Sequence, residues 1–232
     1  MSEDIFRHAD RSLLTILTDV SKEFQNLSTT LGFDELNVME TRKRVNAMYA
    51  RMDAFILKEF IDICRKAYRD ARREARSTDY DFDAAEFVRT ILRGYNTLTE
   101  FVYTHEWERK RDRLFESIIA TEAGNQDMRR NLKRGLDVLA RQIRQYADIV
   151  TTEARLRAFK DAGVDALVWI TEKDEKVCPI CRPRDEQIYP IELLPDYPAH
   201  WNCRCVVQLV SMEEDKPRRK RANTGFKQYL PA

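Results

Sequence analysis

Gly163-Val-Asp-Ala-Leu-Val-Trp-Ile-Thr-Glu-Lys-Asp-Glu-Lys-Val-Cys-Pro-Ile-Cys181 is the stretch at which the chain changes character. Upstream of it there is no proline and one cysteine, Cys64; all seven prolines stand at or after Pro179, and four of the five cysteines fall between Cys178 and Cys205. Proline inside a helix removes a hydrogen bond and clashes with the preceding turn, at about 3 kcal/mol. The proline-free, glycine-poor residues 1–163 are therefore read as a helical domain. Residues 164–212 are read as a compact cysteine-rich module, and residues 213–232 as a basic tail.

The 232 residues, 43% of them hydrophobic, suffice for one large or two modest domains with a buried core. Forty Lys and Arg against thirty-nine Asp and Glu leave a net charge of +1, so affinity for a polyanion has to come from a local patch. The start, Met1-Ser-Glu-Asp-Ile-Phe-Arg-His-Ala-Asp, lacks the basic and apolar parts of a signal peptide. No apolar run approaches the roughly 20 residues of a membrane span. The expectation is a protein of a reducing cytoplasm with no membrane partner, where closely spaced cysteines serve more often as metal ligands than as disulfides.

Within the proline-free part, Leu13, Leu17, Val20, Phe24, Leu27 and Leu31 step by three and four, the period of one helix face. A break at Gly32 precedes a second helix over residues 35–76, with Val45, Met48, Met52, Phe60, Ile63 and Ala67 on its stripe; its length invites a kink or a split. Asp83 and Glu86 have the spacing of a capping box for a helix carrying Phe87, Ile91 and Leu92, and Thr97 with Glu100 repeats the pattern before a helix reaching Ile119. A last helix runs from Asn125 through Leu132, Leu139, Ile143, Tyr146 and Phe159 and stops at Gly163. Five amphipathic helices must bury their stripes on each other or on other subunits. Cys64 reads as a small buried hydrophobe. The charge runs at residues 65–76 and 106–113 interleave bases with acids and read as solvated faces.

Two short β-branched and aromatic runs, residues 165–171 and 205–210, read as strands that bracket Cys178-Pro-Ile-Cys181 and His200-Trp-Asn-Cys203-Arg-Cys205. Two sulfurs separated by two residues grip one tetrahedral zinc ion from a tight turn, and a second knuckle completes the shell. Five donors compete for four places: Cys178, Cys181, His200 and Cys203 are the favoured set, with Cys205 as the substitute for His200 or Cys203. If the second strand starts early, residues 203 and 205 share a strand face and a four-sulfur shell results. A structural role follows from the absence of a base. There is no His-x-Glu of the deaminase type, and His105-Glu106 is followed by Arg109 where a zinc-protease helix needs histidine. No catalytic residue is assigned, and the fold class expected is mainly α with a small, zinc-stapled α+β module.

These blocks resemble the phage head morphogenesis proteins of the Mu F-like minor capsid family. The likeness is carried by residues 94–113, by Val168-Trp-Ile-Thr-Glu-Lys-Asp-Glu-Lys-Val-Cys-Pro-Ile-Cys181, by Arg184-Asp with Tyr189-Pro190, and above all by His200-Trp-Asn-Cys-Arg-Cys205. It spans roughly residues 85 to 210. Two positions depart from the family pattern. Glu186 stands where a glycine often follows the loop Asp, which implies a different backbone there, and Trp201 stands where proline often follows the His. The resemblance implies a non-enzymatic virion component that reaches the portal vertex from the host cytoplasm and acts in head morphogenesis and DNA packaging or delivery. Its implied partner is the portal protein, with the major capsid or scaffolding protein and packaged DNA as further candidates. Lys216, Arg218, Arg219, Lys220 and Arg221 pack five charges into six residues and are candidate phosphate contacts. A second reading is a zinc-containing nucleic-acid-binding protein with a helical oligomerisation domain.

Overall fold

In the computed structural model, residues 2–30, 37–78, 81–92, 103–121, 125–172, 174–197, 199–200, 203 and 205–210 are described. They form five α-helices, α1 (Ser2–Thr30), α2 (Val38–Glu74), α3 (Ala84–Leu92), α4 (Tyr103–Ile119) and α5 (Asn125–Asp161), followed by strands β1 (Ala166–Ile170), β2 (Ile188–Pro190) and β3 (Val206–Leu209). The chain is thus mainly helical with a small C-terminal sheet. The Gly32 break, the turn at Gly94 and the Thr97–Glu100 spacing lie outside the described residues.

The second helix does not split. It runs unbroken for 37 residues, because its apolar stripe is buried from Val45 through Ala71 and no glycine or proline interrupts it. Helices α1, α2 and α5 pack on one another; α4 lies on α2 and α5, and α3 on α2. Their shared core contains Ile16, Val20 and Phe24 from α1, Met48, Met52, Ile56 and Phe60 from α2, and Leu139, Ile143 and Tyr146 from α5. Gly135 marks a close approach: a Cβ there would stand 3.1 Å from Leu114 and 3.3 Å from Phe24. Cys64 is fully buried, and burial pushes its thiol up to about 12.

The helix ends follow from local chemistry. Asn37 caps α2 by accepting the Glu40 N–H at 3.0 Å, and Asp83 caps α3 by accepting from Ala85 and Glu86 at 2.9 and 3.0 Å. Having no basic residue in its own last turn, α1 receives the Arg44 guanidinium of α2 on its Thr30 carbonyl. At the end of α5, Gly163 takes φ +69° while its N–H and that of Val164 bond Lys160 and Phe159 carbonyls at 3.0 Å each. This is a Schellman closure, which favours glycine at the left-handed position. The same closure ends α2 with Arg76 in that position, at φ +57°. Among the described helices none is long and apolar enough to cross a membrane.

The sheet has order β2-β1-β3 and is antiparallel throughout. Strand β2 is absent from the two-strand expectation: three residues ending in proline are too short to show an alternating pattern. Pairing of Ile170 with Val206 and of Val168 with Ile188 brings the start of β3 and the β1–β2 connection to one end of the sheet, the C-terminal end of β1. Among the described residues of this module, helical structure is limited to 3₁₀ turns at Arg182–Arg184 and Ile191–Leu193.

Candidate metal centre

The topology explains why residues 22 positions apart meet. Cys178 and Cys181 sit on a turn in the β1–β2 connection, closed by Cys181 and Arg182 N–H groups on the Cys178 carbonyl at 3.2 and 3.0 Å. His200, Cys203 and Cys205 occupy the approach to β3, and that approach arrives at the same end of β1. Cys178 Sγ lies 2.9 Å from His200 Nε2, Cys181 Sγ lies 3.4 Å from the same nitrogen, and Cys181 Sγ lies 3.7 Å from Cys203 Sγ.

All five predicted donors take part, in two sets. Cys178, Cys181 and His200 form one and Cys181, Cys203 and Cys205 the other, the donor atoms of each set lying within 4.8 Å of one another. Cys181, buried to 1%, belongs to both. The strand-face argument for Cys203 and Cys205 does not hold, since β3 begins only at Val206; the turn before the strand, and not the strand pleat, gathers them. The chemistry of the donors suits a metal ion. A tetrahedral shell with sulfur arms of about 2.3 Å sets sulfur–sulfur edges near ~3.8 Å, and the Cys181–Cys203 separation of 3.7 Å matches such an edge. The cluster can therefore hold a metal ion.

The thiols are not equivalent. Hydrogen bonding from Cys205 holds Cys203 down at about 5 against the effect of burial. Burial pushes Cys181 up to about 12, and the bond to Cys203 together with burial raises Cys205. At Cys178 burial works upward, but N–H groups of Cys181 and Ile180 and the nearby His200 outweigh it and the thiol is lowered. A soft cation would replace the shared protons.

Trp169, Arg184, Asp185 and Glu186 stood out in the sequence only through the resemblance, and Tyr197 not at all; the fold supplies their contacts. Trp169 is fully buried, and its indole N–H has no hydrogen-bond partner of ordinary geometry. The group it meets is the Cys205 sulfur, whose acidity it increases. The Trp169 ring packs edge-on to Tyr197 at 5.1 Å and lies under the Arg184 guanidinium at 5.0 Å. Tyr197 in turn donates to the Cys205 carbonyl at 2.9 Å. Asp185 accepts the Thr171 N–H at 2.8 Å, and Glu186 donates its N–H to the Trp169 carbonyl at 2.7 Å. Glu186 does so at φ +62°, so the loop adopts the left-handed backbone that glycine favours, without glycine. A shallow cleft lined by Glu172, Lys176 and Val177 opens on Cys178, Cys181, His200 and Cys205.

Other predicted features fall elsewhere. Lys216, Arg218, Arg219, Lys220, Arg221 and Trp201 lie outside the described residues. In the charge run at residues 65–76, Arg65 pairs with Asp62 at 2.7 Å and Lys66 with Asp70 at 2.5 Å, while Arg72 is buried. In the run at 106–113, Asp112 pairs with Arg42 at 3.1 Å. Comparison of the chain with family models, curated proteins and solved structures gives no match.

Proposed function

We propose that this chain is a phage minor head protein that docks at the portal vertex through its helices and acts in head morphogenesis and DNA packaging or delivery. One zinc ion holds its C-terminal module. The observation that carries the reading is the ordered pair Cys-x-x-Cys and His-x-x-Cys-Arg-Cys, placed after long amphipathic helices and gathered at one end of a three-stranded sheet. Zinc is the ion of choice because sulfur and imidazole donors in tetrahedral number suit it. In a module with two 3₁₀ turns and short strands, such an ion substitutes for a core too small to fold alone. Its role is structural, since the five donors suffice to close a four-coordinate shell and leave no open position for water. Long helices supply the docking surfaces.

Co-purification with the portal protein in assembled heads is the expected result, and consistent absence from purified proheads and virions overturns the reading. Metal analysis of the purified chain should find one zinc per molecule. No metal, with every cysteine reactive without denaturant, removes the zinc. The second reading, a zinc-containing nucleic-acid-binding protein with a helical oligomerisation domain, is favoured by the run Lys216-Pro-Arg-Arg-Lys-Arg221. Mobility shifts at varied salt with that run intact and neutralised decide it; unchanged shifts dismiss the tail as a phosphate contact.

A further inference from the structure

The outward side of α5 carries a row of cations most of which, among the described residues, meet no carboxylate. Arg129, Arg130, Lys133, Arg134 and Arg141 are all exposed, while Met128, Leu132, Leu139 and Tyr146 of the same helix are buried on its opposite side. Among the described residues, Arg130 alone of the five meets a carboxylate, that of Asp127 at 3.3 Å, and there its side chain remains 70% exposed. Asp137 is the one other acid within the row, and among the described residues no ion pair ties it to these bases. On α2 the pattern is different: Arg44, Arg51, Arg65 and Lys66 each take a carboxylate, from Glu40, Glu23, Asp62 and Asp70.

Such a row works against the helix that bears it. Arg129 and Lys133, and Arg130 and Arg134, are like-charge pairs at i,i+4, each destabilising by roughly 0.2–0.5 kcal/mol. The row lies away from the C-terminal end, where the backbone dipole stabilises cations. An anion brought from outside removes the repulsion. Two features decide which anion. Arginine makes up four of the five positions, and its planar fork matches a phosphate with two hydrogen bonds. The face also presents no large apolar side chain: the exposed large hydrophobic residues, Leu14, Val38, Met39, Ile180, Ile188 and Leu193, all lie on other elements. A lipid surface calls for apolar groups that insert, and a stable protein interface calls for an apolar centre. A rise of 1.5 Å per residue spaces Arg130 and Arg134 by about 6 Å and extends the row over about 18 Å, a scale suited to successive phosphates.

We infer that the outward face of α5 is a sequence-independent binding surface for the phosphate backbone of double-stranded nucleic acid. The inference rests on this helix alone and uses neither the Cys/His cluster nor the tail. The test is fluorescence anisotropy of the full chain with a labelled duplex DNA across a salt series. The parent is compared with a full chain bearing R129Q, K133Q, R134Q and R141Q, and with a full chain neutralised at residues 216–221. Loss of four phosphate contacts makes the slope of log K on log[salt] shallower by about 3.6 and weakens binding roughly 10³-fold near 0.1 M salt. The same loss is expected whether or not the tail is neutralised, which separates this surface from the tail. Substitution of the same arginines by lysine keeps most of the slope. Independently of any variant, duplex DNA should shield Arg129, Arg130, Arg134 and Arg141 from an arginine-selective reagent, read by peptide mass spectrometry. An α5 variant that titrates like the parent, or no shielding of these arginines at saturating duplex, overturns the inference. So does equal displacement of the duplex by polyglutamate, which would make the surface a site for an acidic protein.

Discussion

Cys181 belongs to both donor sets, and this makes its loss unlike that of any other ligand. Removal of any one of the five donors leaves four, so a simple count of donors predicts five equal variants. The geometry predicts otherwise. Without Cys178 the set Cys181, Cys203 and Cys205 survives, and without Cys205 the set Cys178, Cys181 and His200 survives. Without Cys181 both sets fall to pairs. Structural zinc contributes roughly 10–16 kcal/mol when four ligands act together, or about 2.5–4 kcal/mol for each. Cys181→Ser should therefore weaken zinc binding by two to three orders of magnitude, while Cys178→Ser and Cys205→Ser change it by roughly tenfold or less. Competition against a chromophoric chelator measures the three affinities on the same footing, and far-ultraviolet dichroism checks that the helices persist. Cys181→Ala, which avoids a buried hydroxyl, controls for the 1% exposure of this site. If Cys181→Ser and Cys181→Ala bind zinc no more weakly than Cys205→Ser, the donors regroup freely and the two-set geometry does not govern the site.

Further expectations concern stability. Ile143, 1% exposed in the helical core, should cost about 3 kcal/mol when changed to alanine, whereas Met39→Ala at 84% exposure should stay within about 0.5 kcal/mol; urea midpoints compare them. Arg76→Gly should stabilise the chain by about 0.5–1 kcal/mol, since the left-handed position costs arginine more than the added chain entropy costs glycine; a drop in stability would refute the closure of α2. Burial and a bond to Asp161 at 2.8 Å raise the Tyr68 phenol from 10.0 to about 12. The folded state favours the neutral form, so this contribution is complete below pH 10 and lost as the pH rises to about 12. Cys64 adds a similar loss from pH 9 upward. Denaturant melts should show stability falling between pH 9 and 12, less steeply in Tyr68→Phe; a flat profile speaks against both burials.

Much of the helical part was legible because burial there follows a local period. Val45, Met48, Met52, Phe60 and Ile63 fall on one face at 3.6 residues per turn whatever they pack against, and Gly163 announces the end of α5 through its own backbone freedom. The Cys/His cluster was legible for a different reason: Cys-x-x-Cys followed by His-x-x-Cys-x-Cys within a short stretch rarely arises from packing alone. The unpaired row on α5 was not legible, because a list of bases does not say which of them find carboxylates. Arg65 and Lys66 do, from Asp62 and Asp70 on their own helix; among the described residues Arg129, Lys133 and Arg134 do not.

By itself the amino-acid sequence determined the helical class, the change of character near Gly163 and the identity of the five Cys and His residues that cluster. Each depends on a residue's own chemistry or on neighbours within two turns. The tertiary structure decided that α2 is unbroken, that β2 exists, and that the donors divide into two sets sharing Cys181. It also decided that Trp169 directs its indole N–H toward Cys205. All but the first of these depend on strand register, Ile170 against Val206 and Val168 against Ile188. Register is a long-range pairing, so no local period in the sequence encodes it.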